Sequence, residues 1–145
     1  DEDLDLTHIN IERLPFQATA ILSSHSTITP LKAADHVVQF AQGALCDTLG
    51  RLPAGNSAPH TVKDVYDLIA WAQTHGLKQI ITCYAPVGPI ADQLTQARKL
   101  LAEQGILLVT VMAPYDRMTW PHATRGFFRF KDNITHFIAQ ISQRK

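Results

Sequence analysis

A chain of 145 residues with 46% hydrophobic and 18% charged side chains is apolar enough to bury one sizeable core, which excludes a disordered segment. Thirteen Lys and Arg balance thirteen Asp and Glu, which removes the argument for a general nucleic-acid binder and leaves only a local basic patch for such a partner. No run reaches the ~18 apolar residues of a membrane span and nothing has the pattern of a secretory leader, so the expected compartment is the cytoplasm.

The chain starts at Asp1 with the acidic, polar run DEDLDLTHIN, and residues 1–15 read as a linker, as in a domain cut from a longer protein. Residues 17–24, QATAILSS, form a short apolar run without helical spacing that ends in hydroxyl residues, the pattern of a first strand. Beyond Thr29 and Pro30, Leu31, Ala34, Val37, Val38, Ala41, Ala44, Leu45 and Leu49 recur at helical steps, predicting an amphipathic helix that Gly50 ends. RLPAGNSAP, with its Pro and Gly, is a loop. The next helix is predicted from HTVKD, with Thr61 and Asp64 as its capping box and Val62, Val65, Tyr66, Ile69 and Ala72 as its buried stripe.

THGL closes that helix, and KQIITCY is a second strand. Gly88 and Pro89 stand where an N-cap and a first helical position belong. On the helix that follows, Ile90, Ala91, Leu94, Ala97, Leu100 and Leu101 face inward, Gln93, Gln96, Arg98 and Lys99 face water, and Gly105 terminates. ILLVTVM is apolar throughout, which predicts a strand covered on both faces of a parallel sheet. An irregular aromatic stretch then precedes a last helix, with Asp132 as N-cap and Ile134, Phe137, Ile138 and Ile141 on one face. Strand alternating with helix forces parallel pairing, so the expectation is a single α/β domain over residues 1–145: three-layer and Rossmann-like, of HUP or flavodoxin-like type, with a mostly parallel sheet and flanking helices. Cys46 and Cys83 have no C-x-x-C partner and are expected to be buried and reduced.

In an open parallel sheet ligands sit outside the carboxyl ends of the strands, and three stretches fall there: Ser23, Ser24 and His25; Tyr84 to Gly88; and Pro114 to Arg117. In the second, Pro86 and Pro89 stiffen the backbone, Gly88 permits a tight bend, and the helix aims its free N–H groups above. The turn has one glycine where the dinucleotide fingerprint has three, and no Walker A lysine, so a structural turn and a ligand contact both remain open. Ser24 and His25 are adjacent, which points their side chains apart on a strand, and no G-x-S-x-G elbow is present. The seven His have no metal-ligand spacing. WPHATRGFFRFK interleaves Trp120, Phe127, Phe128 and Phe130 with His122, Arg125, Arg129 and Lys131. It reads either as a flap whose aromatics cover the sheet edge under basic stems, or as a face for phosphate, a flavin-bearing partner domain or nucleic acid.

The stretch LIAWAQTHGLKQIITCYAPVGPIADQLTQARKLLAEQGILLVTVMAPYD resembles the α/β domain of the photolyase and cryptochrome superfamily, in which an LxxLAxxxG helix, a strand ending in an aromatic and xEP, an Ala-, Leu- and Arg-rich helix and a GI strand follow in that order. WPHATRGFFRFK resembles the end of bacterial photolyase-like proteins. The likeness spans residues 68–131; Thr82, Cys83 and Tyr84 stand where the family has Asn-Arg-Asp, and the first strand has no WFRRDLR run. It implies a non-catalytic, Rossmann-like accessory domain of a DNA-repair or light-sensing flavoprotein. Ser24, Tyr84, Pro86, Val87, Gly88 and Asp116 would line its ligand cleft, and His122, Arg125, Arg129 and Lys131 would face a partner. In that reading FAD and photolyase-type lyase chemistry belong to a helical domain of the parent chain, which also meets any DNA, and the present chain alone is colourless and inert. Two alternatives stay open: a stand-alone nucleotide- or phosphate-binding α/β protein, and a hydrolase using His25 or Cys83.

Overall fold

In the computed structural model, which describes residues 15–22, 33–52 and 60–143, proline starts and glycine stops divide the chain into short regular elements. Within Asp1–Val111 these are β1 (Ala20–Leu22), α1 (Asp35–Arg51), β2 (His60–Val62), α2 (Val65–Thr74), β3 (Gln79–Cys83), α3 (Pro89–Glu103) and β4 (Leu107–Val111). A second compact unit, Met112–Lys145, holds α4 (Pro114–Thr119), a 3-10 helix (Trp120–Arg125), α5 (Phe127–Lys131) and α6 (Ile134–Ser142).

One device is used twice in the first unit. At the end of α2, Gly76 takes φ +61° and its N–H donates to the Gln73 carbonyl, while the Leu77 N–H reaches back to Ala72. At the end of α3, Gly105 takes φ +71°, donating to Ala102, while Ile106 reaches back to Leu101. Both are Schellman stops, which satisfy the last helical carbonyls and need a left-handed residue that glycine adopts without strain. Each stop turns the chain into the strand that follows, and the paired hydrophobes enter the core.

That core is built from α2 and α3 with β2 and β4. Val62, Leu68, Trp71, Ala72, Leu94, Ala97, Leu101, Ile106 and Leu108 are buried together, and Leu101 is 0% exposed. Full burial of one such side chain is worth about 1.5–3 kcal/mol. The Arg98 guanidinium on α3 donates to the Leu108 carbonyl (3.5 Å) and the Thr110 hydroxyl (3.3 Å), tying helix to strand.

The fold is mixed α/β with parallel pairing, but not as one three-stranded sheet. β3 and β4 pair in parallel with Ile80 opposite Leu108 and Cys83 opposite Val111, as their apolar runs predict. β1 instead pairs in parallel with β2, an extended segment that the sequence reading assigned to a helix start, so the described strands form two separate two-stranded sheets. Thr61 lies within β2 and caps nothing; the cap of α2 is Asp64, whose Oδ1 accepts the Asp67 N–H at 2.8 Å, while Asp67 Oδ2 accepts the Lys63 N–H at 3.1 Å. The N-cap therefore sits three residues later than expected, and Val62 is fully buried at the end of β2.

Other expectations are corrected by burial. Ile81 and Leu107 face away from α3 and are exposed, Leu107 to 59%, so the β3–β4 pair is not covered on both faces. Tyr66 is exposed rather than buried, and Gln93 is half-buried rather than in water. α1 starts at Asp35 and runs through Gly50 to Arg51; Val37 and Phe40 are exposed, with Leu45 and Thr48 its buried residues. Cys46 is exposed on α1, and Cys83 is buried at the end of β3; both are free. In the second unit Asp132 ends α5, Asn133 starts α6, and of the predicted apolar face Phe137 is buried while Ile134, Ile138 and Ile141 are exposed. Among the described residues no helix is long and apolar enough to cross a membrane.

Candidate functional site

Tyr84 to Gly88 leave the sheet at the carboxyl end of β3. The Tyr84 N–H donates to the Val111 carbonyl at 2.8 Å, which extends the β3–β4 ladder by one rung and fixes where the bend starts. Ala85 is buried and pins the bend to the core, whereas Tyr84 and Pro86 are exposed and Val87 is 100% exposed. Gly88, at φ +157° and ψ −175°, occupies a conformation that is essentially open to glycine alone, and Pro89 follows at the first helical position. The turn is thus rigid and presents an apolar tip beside the first turn of α3.

Beyond the free N–H groups of Ile90 and Ala91, its electrostatics offer an anion little. Pro89 has no N–H, Gly88 supplies no side-chain cap, and the Asp92 N–H is already bonded to the Gly88 carbonyl at 3.1 Å. The Asp92 carboxylate itself stands in that first turn, complementing the positive end of the helix dipole. No Lys or Arg lies between Tyr84 and Arg98. Pro86 and Val87 stand where a dinucleotide fold uses glycine to let the pyrophosphate approach, so the rim does not fit a flavin dinucleotide; an uncharged ring edge or a protein surface suits it better.

Of the residues predicted to line the ligand cleft, Tyr84, Pro86, Val87 and Gly88 are contiguous on this rim. Asp116 belongs to the second unit, in the first turn of α4. Ser24 lies outside the described residues, as does His25, the nucleophile partner considered for a hydrolase. Cys83, the other hydrolase candidate, is buried.

The predicted partner-facing residues all lie in Met112–Lys145. His122, Arg125 and Arg129 are exposed and, with Thr124, Asp132 and Asn133, line an open groove of about 400 Å³; Lys131 is exposed but not part of the lining. Of the lining residues, His122 joins an aromatic knot on the buried Phe137, against which it packs edge-on at 5.3 Å and Phe130 packs at 5.4 Å between ring centroids. Gly126, at φ +84° and ψ +170°, bends the chain between the 3-10 helix and α5. The Asn133 amide donates to the Arg129 carbonyl at 2.9 Å, closing α5 onto α6. Of the aromatics of this stretch, Phe127 and Phe128 are 66% and 78% exposed. Thr124 and Asn133 carry no sequence signal for this groove, since a polar residue beside a basic one is commonplace, and Asp132 was assigned to a cap.

No family model, curated protein or solved structure matches this chain. Among the described residues no three His, Cys, Asp or Glu side chains gather into a set that could hold a metal ion.

Proposed function

We propose that the chain supplies a non-catalytic α/β domain to a photolyase- or cryptochrome-like flavoprotein, its β3–α3 rim meeting an uncharged ligand or the neighbouring helical, FAD-binding domain. The observation that carries this reading is the parallel β3–β4 pair bridged by α3, with the rigid turn at the carboxyl end of β3. A parallel crossover gathers its loops on one rim, and that rim is where open α/β sheets bind. The order of motifs over residues 68–131 supports the family assignment. A complete three-layer, Rossmann-like arrangement is part of the same proposal, since the apolar outer side of β3–β4 at Ile81 and Leu107 is the surface a further layer would cover.

Absorption spectroscopy of the native full-length protein tests it. Flavin bands are expected there, with none from the 145-residue chain alone, and a full-length protein without flavin ends the reading.

The second reading, a stand-alone nucleotide-binding protein, is favoured by one feature: the Ile90 and Ala91 N–H groups at the start of α3 have no helical carbonyl to bond. Thermal melting with AMP, ATP and FMN separates the two, because ligand at about 100 times its Kd adds about 2.7 kcal/mol to the folded state. A shift that survives substitution of Arg125 and Arg129 would support the second reading.

A further inference from the structure

We propose that the groove of Met112–Lys145 binds the phosphate group of a nucleotide, free or within a single strand, through Arg125 and Arg129. This site is separate from the β3–α3 rim and stands or falls without it.

Arg125 and Arg129 lie on either side of Gly126 and both line the groove. Neither guanidinium has a hydrogen-bonded or ionic partner among the described residues, although the Asp132 carboxylate lines the same groove. Two unpaired planar forks on one concave surface match the oxygens of a phosphate, which they grip with paired N–H donors. Two Arg against one Asp give the lining a formal net +1, and the described part of the unit carries four Lys and Arg against two Asp. The field around the groove is therefore positive although the chain as a whole is neutral.

The bend that separates the two arginines is preformed. Gly126 holds a backbone conformation that a side chain would strain, and the Phe130 N–H donates back to the Gly126 carbonyl at 3.4 Å. α5 also presents Phe127 and Phe128, edge to face with each other at 5.7 Å and both exposed. Exposed apolar rings on the same short segment as unpaired guanidinium groups are the combination that can hold a base by its face and its phosphate by charge. A bare phosphate would use only the second half of it.

The test titrates the full chain with inorganic phosphate, AMP and fluorescein-labelled decathymidylate, using calorimetry and fluorescence anisotropy at several salt concentrations. AMP or the oligonucleotide is expected to bind more tightly than inorganic phosphate. Arg125→Gln and Arg129→Gln are each expected to weaken binding about 10- to 100-fold. For the oligonucleotide each should also lower the slope of log K against log salt by about 0.7. Phe128→Ala is expected to weaken AMP and oligonucleotide about 5- to 100-fold while leaving phosphate unchanged. Lys99→Gln, an exposed residue of α3 outside both surfaces, should change nothing, while the proposed function is read separately by the flavin spectrum. Tighter binding of decathymidylate than AMP assigns the phosphate to a strand, and the reverse to a free nucleotide. If circular dichroism shows an Arg→Gln variant unfolded, Arg129→Lys decides: it keeps the charge but loses the fork, and should still bind about tenfold more weakly. Wild-type affinity in a folded Arg129→Gln or in Arg129→Lys overturns the proposal, as does phosphate bound as tightly as AMP, or no binding of any of the three.

Discussion

Gly43 and Gly105 both lack a side chain, yet an added methyl group should act on stability with opposite sign at the two positions. Gly43 sits inside α1 with helical backbone and open space where a Cβ would project, so Gly43→Ala removes only the entropy cost of an interior glycine and is expected to stabilise by about 0.5–1 kcal/mol. Gly105 has equally open space around a Cβ, but its φ of +71° lies in the left-handed region, and Gly105→Ala is expected to cost about 1–2 kcal/mol. Since neither methyl group meets a neighbour, the backbone angle alone sets the sign. Urea unfolding monitored by circular dichroism measures both, and two shifts of the same sign would show that one of the helix assignments is misplaced.

The helices differ in how much of each is buried. α3 buries Ile90, Leu94, Ala97 and Leu101 along one side and is tied to β4 through Arg98, whereas the longer α1 buries only Leu45 and Thr48 and leaves Val37 and Phe40 in water. Amides of α3 are therefore expected to exchange with deuterium only on global unfolding, and those of α1 through local opening at rates at least tenfold faster. Leu101→Ala, at the centre of the α3 face, should cost about 2–5 kcal/mol and carry the exchange of α2 with it.

How legible each element was follows from the same contrast. α3 could be read from sequence almost to the residue because its start, its apolar stripe and its stop are all local signals: Gly88-Pro89, the three- and four-residue steps, and Gly105. β3 and β4 were legible as apolar runs. β2 was not, since three residues, of which only Val62 is buried, carry too little pattern to compete with the capping signal at Asp64. The stripe of α1 was visible but its burial was not, because periodicity reports that a helix has an apolar side and not that anything covers it. Likewise the rim at Tyr84 to Gly88 could be located from the strand-to-helix turn. The lining of the C-terminal groove depends on the bend at Gly126 and the aromatic knot on Phe137, which are tertiary features.

At the scale of the whole molecule, the formal charge of zero is the sum of two unlike parts. Residues 112–145 carry six Lys and Arg against two Asp, and residues 1–111 carry seven Lys and Arg against eleven Asp and Glu. Near pH 7 such a chain has no net repulsion to keep copies apart, and the acidic part of one copy attracts the basic part of another. Exposed Val87, Phe128 and Ile138 offer a competing, apolar route to association. Salt distinguishes the two routes, because charge attraction is screened within about 8 Å at 0.15 M ionic strength, while sulfate strengthens apolar burial. Static light scattering at pH 7 is expected to show attraction between copies that weakens as sodium chloride rises from 10 to about 150 mM, the concentration at which screening reaches that length. Attraction that is flat in chloride and grows in sulfate would mean that the exposed apolar side chains, and not the charge asymmetry, govern how copies of this chain meet.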